Sequence, residues 1–194
     1  MSGENSALRH VLLIYRLVCN NILPMKEAKR FLPFILTAVL VAVDQFSKFL
    51  VIKYIPLNTI GARLFGDFLI ICHVRNTGVA FSLGADSSLF LRILLFVILP
   101  LALMCFMCYL IASKKNLLTN TQKWFVAGIA GGGFGTLVDR IFRFNEGVVD
   151  FISVKFYGIF GMERWPTFNL SDSFVVIFVI LFAVSVIFTK EKKK

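Results

Sequence analysis

Charged residues are scarce in this chain of 194 residues, because only 16% of them are Asp, Glu, Lys or Arg. Soluble domains have about 25% charged and about 45–50% apolar residues, whereas this chain is 58% hydrophobic and contains 22 phenylalanines. The mean hydropathy of +0.81 therefore indicates a membrane protein. At this length we expect a single domain.

Histidine and cysteine are too few and too scattered to form a metal centre. The two histidines, His10 and His73, stand alone in the sequence. Cys105 and Cys108 have CxxC spacing, but they lie inside an apolar run where a thiolate is costly, and no second pair completes a zinc site. We therefore expect neither a metal nor another cofactor.

Acidic residues are outnumbered by basic ones, which gives a net charge of +10. The basic residues lie mainly between and outside the apolar runs, and no basic stripe is interleaved with aromatic residues. This distribution argues against nucleic acid as a partner and indicates the positive-inside bias of a membrane protein. The basic clusters of the N-terminus, of 114–123 and of the tail fall on one side of four spans, so both termini are predicted to be cytoplasmic.

Four apolar segments are candidates to cross a bilayer, which requires roughly 20 predominantly apolar residues. The first contains the polar stretch DQFSK, and the second contains Pro100, where we expect a kink. In the third, Gly128 and Gly132 are four residues apart, as are Gly131 and Gly135, a spacing that lets helices pack closely in lipid. The predicted spans are 31–54, 93–112, 124–138 and 173–189.

The segments outside the spans are predicted to form distinct regions. Residues 1–30 are a basic cytoplasmic extension, whose apolar patch VLLIYRLV is predicted to lie on the membrane surface. Residues 55–83 form a small β-element on the outer face, with FLIICHV as a strand. Residues 140–172 form a second outward loop, and residues 190–194 a lysine-rich cytoplasmic tail. The membrane domain is thus predicted at 31–189.

Ionisable residues within apolar segments indicate function by default, because they are costly in lipid. Asp44 and Lys48 are four residues apart and share a helix face, so they can pair. The pair either serves a site or locks the first span to its neighbours. Ser47 and Lys48 do not suit a serine–lysine nucleophile pair, because adjacent helical side chains point about 100° apart.

Asp139 and Arg140 follow the glycine-rich span at its predicted outward end. Asp139 lies four residues before Arg143, so a salt bridge at the helix end is favoured over a catalytic role for this carboxylate. Arg140 is a candidate to hold a carbonyl group of a substrate backbone or a lipid.

Two further aspartates lie beside apolar residues at similar predicted depth: Asp150, in a predicted loop, and Asp172, at the start of the fourth span. Asp172 also has a structural interpretation, because a carboxylate there can cap the helix. Together they can share one proton as a general acid/base pair, in which repulsion and desolvation raise one pKa while the other group stays ionised. Such a pair activates water without a metal, serine or histidine.

The motifs DQFSK, RNTGVAFS, GGGFGTLVDR, GVVDF and FNLSDS together resemble the lipoprotein signal peptidase family, signal peptidase II, over roughly residues 33–188. The resemblance implies an all-α membrane protein with four transmembrane helices, a small extracytoplasmic β-cradle and a short extracytoplasmic helix in a loop. It implies an aspartic endopeptidase of the bacterial cytoplasmic membrane, with its site near the outer face. Its substrates are diacylglyceryl prolipoproteins, cut before the lipidated cysteine. We expect a monomer in membrane lipid.

The resemblance also implies roles for individual residues. The catalytic aspartates of the family fall on Asp150 and Asp172. The family usually has asparagine after the glycine of its GNLxDR motif, whereas this chain has Thr136, which keeps a hydroxyl but loses the two donors of the amide. The supporting polar positions are Asp44, Lys48, Asn76, Thr136, Asp139, Arg140 and Asn169.

Two other classes of function also accommodate membrane carboxylates. A small proton-coupled transporter is the main alternative, but it would more often hold them near the midplane, often in repeated halves, and the sequence has no visible repeat. In a non-catalytic assembly protein, every acid would be a helix cap or a brace.

Overall fold

The structure, a computed structural model, describes residues 29–78, 88–115 and 117–191. Within these ranges, four helices are long and apolar enough to span a membrane. Three strands form one antiparallel sheet in the order β1–β2–β3. The predicted four-span fold with a small β-element is confirmed. The helices are α1 (Pro33–Tyr54), α2 (Leu89–Ala112), α3 (Asn120–Phe142) and α4 (Leu170–Glu191), and the strands are β1 (Ile60–Leu64), β2 (Leu69–Asn76) and β3 (Val148–Val154).

Most of the predicted N-terminal extension at 1–30 and of the lysine-rich tail at 190–194 lies outside the described residues. Their roles stay predictions, as does the membrane domain boundary at 31–189. The predicted third and fourth spans are shorter than the observed helices, because polar residues at the ends of α3 and α4 also adopt helical conformation.

The polar stretch DQFSK does not interrupt α1, because its charges are enclosed by protein rather than exposed to lipid. Asp44 and Lys48 are fully buried, and the Lys48 Nζ lies 2.7 Å from Asp44 Oδ2. The predicted pair is therefore confirmed. Phe46 and Phe49, which lie on other faces of the helix, are exposed, as is expected of side chains that face lipid.

A π-helical turn at Leu94–Ile98 precedes Pro100 within α2, where the sequence predicts a kink. Proline donates no backbone hydrogen bond, and its ring clashes with the carbonyl group four residues earlier. A π-helical turn inserts one residue into the helix and accommodates such a conflict. Phe96, four residues before Pro100, lies in this turn with its side chain buried.

Helix α3 is the central helix of the membrane domain. Of its most apolar 18 residues 61% are buried, against 22%, 11% and 6% for the corresponding windows of the other three helices. Cβ atoms built on Gly128 and Gly132 would lie 2.2 and 2.5 Å from atoms of α4, and one on Gly131 would lie 2.9 Å from an atom of α1. A Cβ on Gly135 would lie 2.1 Å from Ser171 of α4 and 2.8 Å from Asp44 of α1. Each predicted glycine pair thus allows close packing against a neighbouring helix.

Asp150 lies on β3, and the prediction that it lies in a loop is wrong. Residues Val148 to Phe151 are all buried, so this strand lacks the alternation of apolar and polar residues that marks a half-exposed strand. Val149 and Phe151 pack with Val51 near the end of α1, which ties the sheet to the membrane domain. The predicted short helix of the loop is a 3-10 turn at Ile159–Gly161.

Candidate active site

The two predicted catalytic aspartates line one pocket, of about 410 Å³, between the sheet and the ends of α3 and α4. Strand β3 supplies Asp150, and the first turn of α4 supplies Asp172. The segment between β3 and α4 forms one wall. The pocket is lined by Val74, Arg75, Asn76, Thr136, Arg140, Val148, Asp150, Trp165, Pro166, Thr167, Phe168, Asn169 and Asp172.

Two asparagine amides fix the carboxylate of Asp150. Asn169 Nδ2 donates to Oδ1 at 2.7 Å, and Asn76 Nδ2 donates to Oδ2 at 3.1 Å. Strand pairing sets this geometry, because β2 and β3 are in register at Val74–Asp150 and Asn76–Val148. Burial, the largest cause, and the negative charge of Asp172 raise the pKa of Asp150, the two amide hydrogen bonds lower it, and the net result is a pKa of about 6. A carboxyl group with this pKa exchanges its proton near neutral pH.

Asp172 caps helix α4 as well as facing the pocket. Its Oδ2 accepts a hydrogen bond from the Asn169 backbone N–H at 3.0 Å, and Asn169 Oδ1 accepts one from the Asp172 backbone N–H at 3.1 Å. This reciprocal arrangement is a capping box with asparagine at the N-cap and aspartate three residues later. The predicted capping role is confirmed. Because Asn169 contacts both aspartates, it holds their separate elements together.

Arg140 ties α3 to the end of β2. Its guanidinium donates to the carbonyl oxygens of Asn76, at 3.2 Å, Thr77, at 3.1 Å, and Gly78. Its other side lies 5.0 Å from the ring centre of Phe96, within the range of a cation–π contact. The predicted carbonyl ligands of Arg140 are thus, in this structure, carbonyls of its own chain. By holding Asn76, Arg140 indirectly orients Asp150.

A second, fully buried group of charges lies behind the pocket. Lys48 Nζ is 2.7 Å from Asp44 Oδ2 and 2.7 Å from Asp139 Oδ2. Arg143 contacts the other oxygen of Asp139, as predicted from their spacing. Two carboxylates are therefore matched by two cations. We refer to Asp44, Lys48, Asp139 and Arg143 as the ion cluster.

The ion cluster also reaches the first turn of α4. Asp44 Oδ1 accepts a hydrogen bond from the Ser171 backbone N–H at 3.0 Å, and the first N–H groups of a helix have no partner within the helix. Gly135 leaves room for this contact, because a Cβ there would lie 2.8 Å from Asp44 Oδ2. Ser171 immediately precedes Asp172, so the cluster fixes the backbone that carries one of the two pocket aspartates.

The structure divides the predicted site residues into two groups. Six line the pocket, and the other three belong to the ion cluster rather than to the pocket. The sequence analysis did not single out Ser171 or Gln45. The Ser171 backbone N–H donates to Asp44. The Gln45 Nε2 donates to the Gly135 carbonyl at 2.9 Å and to Asp44 at 3.1 Å. Both are polar residues within the quoted motifs, which was the available signal. The pocket group is Asn76, Thr136, Arg140, Asp150, Asn169 and Asp172, and the cluster group is Asp44, Lys48 and Asp139.

Comparison with known proteins identifies the family. The family described as "Signal peptidase (SPase) II" matches residues 36–188, which is well over half of the chain. The chain belongs to the signal peptidase II family. It is therefore a peptidase, and neither the family nor the fold favours the transporter alternative. In the described ranges no group of three or more His, Cys, Asp and Glu side chains could hold a metal ion.

Individual relatives of this signal peptidase II family member agree with the family match. A lipoprotein signal peptidase of Treponema denticola is 49% identical over 166 residues, which cover 84% of this chain and 93% of the relative. One of Borrelia hermsii is 46% identical over 154 residues, covering 79% and 88%. A bacterial membrane enzyme solved by the in meso method at 2.3 Å has a similar fold, with a TM-score of 0.67, 24% identity, and coverage of 84% of this chain and 91% of that one.

Proposed function

We propose that this protein is an aspartic endopeptidase that removes the signal peptide of diacylglyceryl prolipoproteins by cutting before the lipidated cysteine. Asp150 and Asp172 are its catalytic pair. The observation that carries the proposal is that these two carboxylates, from separate elements, line one pocket in which the charge of one raises the pKa of the other. The name of the relatives, lipoprotein signal peptidase, supports the substrate class.

The chemistry of the pair is general acid/base catalysis of hydrolysis. The ionised aspartate takes a proton from water, whose oxygen attacks the scissile carbonyl carbon, while the protonated aspartate gives its proton to the carbonyl oxygen. When the resulting tetrahedral intermediate collapses, the C–N bond breaks, the leaving amine takes up the proton that the first aspartate took from water, and one hydroxyl of the intermediate returns its proton to the second aspartate as the carbonyl re-forms. The pair ends with one proton, as it began. A pKa of about 6 for Asp150 suits a group that changes protonation state during turnover.

The remaining pocket residues orient the pair and the substrate. Asn76 and Asn169 hold both oxygens of Asp150 through their amide groups, which fixes the plane of that carboxylate. Arg140 holds the chain that carries Asn76, and Thr136 lines the pocket where it can contact substrate. The ion cluster braces α1, α3 and α4 and takes no part in the chemistry.

The membrane arrangement follows from the four spans and the basic residues. We propose that both termini lie in the cytoplasm, since the basic clusters fall on one side of four spans, and that the pocket opens near the outer face of the bacterial cytoplasmic membrane. A single copy suffices for this mechanism, because one chain supplies both aspartates. The substrate's lipid would remain in the bilayer while its peptide enters the pocket.

The proposal is tested by cleavage of a diacylglyceryl prolipoprotein by the purified full chain in lipid vesicles. We expect the parent to cut before the modified cysteine and Asp150→Asn to lose at least about 100-fold in rate, in line with the contribution of a general acid or base. Asp67→Asn is the matched control, because Asp67 lies outside the pocket and pairs with Lys155. Equal rates for the parent and Asp150→Asn would contradict the catalytic assignment, and no cleavage by the parent would contradict the proposed reaction.

A further inference from the structure

One basic side chain near the start of α2 has neither a hydrogen bond nor an ion pair with any residue that the structure describes. Arg92 is half-buried, and its Nε atom is fully buried without an acceptor. A guanidinium has five N–H donors and keeps its charge at every physiological pH. Burial takes such donors away from water at a cost that an acceptor must offset. An acceptor from outside the chain would therefore suit Arg92.

Two aromatic rings place Arg92 at the junction of α2 and α3. The guanidinium carbon of Arg92 lies 4.9 Å from the ring centre of Phe144, and that of Arg140 lies 5.0 Å from the ring centre of Phe96. Phe96 follows Arg92 by four residues and Phe144 follows Arg140 by four residues, so each segment supplies an arginine and a phenylalanine to one face. The two guanidinium groups are thus about one helical turn apart along the junction.

The two arginines of the junction differ in what surrounds their charge. Arg140 donates to three backbone carbonyl oxygens, whereas Arg92 has the face of one phenylalanine ring. Within the described ranges no carboxylate forms a salt bridge with either of them. Their like charges repel each other, so an anion held by Arg92 would lower the electrostatic energy of the junction.

The position of Arg92 along α2 corresponds to the level of phospholipid headgroups. This helix has 24 residues and is about 36 Å long, against roughly 30 Å for the hydrocarbon core of a bilayer. Arg92 lies near its start, and the neighbouring side chains of Leu89, Phe90 and Leu91 are apolar and exposed. An anion that meets Arg92 among acyl chains would be carried by a lipid.

We propose that Arg92 binds the phosphodiester group of an anionic phospholipid. A guanidinium binds a phosphate through two parallel N–H···O bonds. The bound phosphate neutralises the charge of Arg92 beside Arg140 and holds the start of α2 against α3. Helix α2 has few other contacts to hold it, since only 11% of its most apolar window is buried. This inference rests on the membrane fold and does not depend on the proposed peptidase chemistry.

The test is a lipid titration of the purified full chain in an uncharged detergent, read by the midpoint of thermal unfolding, because a ligand of the folded state raises that midpoint. The ligands are dioctanoyl phosphatidylglycerol and dioctanoyl phosphatidylcholine, whose choline cation opposes binding to Arg92. We expect the glycerol lipid to raise the midpoint of the parent more. Arg92→Gln should need at least about tenfold more of it for the same rise, since a hydrogen bond to a charged group accounts for that factor.

Arg63→Gln is the matched control, because it removes the charge of an exposed arginine on β1, and it should respond as the parent does. Equal rises with the two lipids in the parent would overturn the proposal, and so would a parental response of Arg92→Gln. Inorganic phosphate at the same concentrations should leave the midpoint unchanged. A rise equal to that with phosphatidylglycerol would assign Arg92 to a soluble anion and overturn the lipid assignment.

Phe144→Leu is a second variant in case Arg92→Gln fails to fold. It keeps the cation but removes the ring that positions it, so we expect it to need about two- to fivefold more phosphatidylglycerol than the parent. An unchanged lipid requirement in this variant would count against the site. No substrate is present, so the outcome is independent of whether the protein cleaves prolipoproteins.

Discussion

Two pairs of aspartates in the described part of the chain have opposite surroundings. Asp44 and Asp139 are separated by Lys48, whose ammonium group lies 2.7 Å from each. The carboxylate of Asp150 accepts hydrogen bonds from two neutral amides and, in the described part of the chain, from no cation. The negative charge of Asp172 therefore raises its pKa without a cation bound between the two carboxylates. The first pair is enclosed by protein, whereas the second lines a pocket.

This contrast explains how carboxylates in one fold come to have different roles. A cation between two carboxylates allows both to remain ionised and makes them structural ligands. Amide donors orient a carboxylate but neutralise none of its charge, so a nearby second carboxylate makes protonation easier. The charges around each pair, rather than the aspartates themselves, separate the brace from the candidate catalytic pair.

The largest expected effect comes from removing the cation of the ion cluster. Lys48→Met leaves Asp44 and Asp139 buried and facing each other, and breaking a buried ion pair in this way costs about 3–5 kcal/mol in free energy of unfolding. We expect a large drop in midpoint in thermal unfolding of the solubilised protein. Lys53→Met, at an exposed position of the same helix, is the control. Similar midpoints for the two variants would show that the cluster does not brace the fold.

Removing the charge of Asp172 from the pair of Asp150 and Asp172 should lower the cleavage rate far more than the free energy of unfolding. In Asp172→Asn the side-chain oxygen can still accept the Asn169 N–H, so we expect less than about 1 kcal/mol of destabilisation from the altered cap. The rate of prolipoprotein cleavage should fall by about 10²–10⁴-fold, because an amide neither accepts nor donates the transferred proton. Unfolding midpoints and cleavage rates of the same preparations separate the two effects. A variant that cleaves normally would assign Asp172 to capping alone.

The pH dependence of stability should distinguish Asp150 from an ordinary paired aspartate. Its pKa is about 6 in the folded protein against 3.8 for the ordinary value, so the folded state binds the proton more tightly. The stability contributed is complete below pH about 4 and is lost as the pH rises through about 6, with a limit of about 3 kcal/mol at 1.36 kcal/mol per pKa unit. Unfolding midpoints of the parent and Asp150→Asn between pH 4 and 8 test this.

Asp150→Asn should lack this fall in stability with rising pH, even if its midpoint is displaced at every pH. Asp67 provides a contrast of opposite sign, because its hydrogen bond with Lys155 lowers its pKa, so its contribution is lost as the pH falls. Parallel curves for the parent and Asp150→Asn would mean that Asp150 does not bind its proton more tightly on folding.

The smallest expected effect is at Thr136, where the resemblance to the family leads us to expect asparagine. Thr136→Asn adds an amide to the pocket wall, and one hydrogen bond contributes about 0.5–1.5 kcal/mol. We therefore expect a change in KM of about two- to tenfold with kcat nearly unchanged, measured on the same prolipoprotein. Thr136→Ser keeps the hydroxyl and is the control. A change confined to kcat would mean that this position acts on the reacting groups instead.

Much of the site was predictable because ionisable residues within or beside apolar spans have a high free-energy cost and therefore indicate a site. Asp44, Lys48 and Asp139 interrupt or adjoin apolar spans, and the i to i+4 pairs follow from helix geometry alone. The two glycine pairs of α3 predicted close packing. Gln45 and Ser171 were not predicted, because their roles depend on hydrogen bonds to Gly135 and Asp44. Neither sequence spacing nor residue type predicts those hydrogen bonds.

The sequence by itself determined the four spans, the helical pairing of Asp44 with Lys48 and the capping role of Asp172, because hydropathy, helical period and capping preference act over short stretches of chain. Only the tertiary structure decided that Asp150 lies on a strand, that Asn76 and Asn169 each donate to one of its oxygens, and that Lys48 contacts two carboxylates. These contacts connect residues that are far apart in the chain, and strand register and helix packing set them. The physical reason is that the charge state of a carboxylate depends on which groups surround it, and only the folded chain brings those groups together.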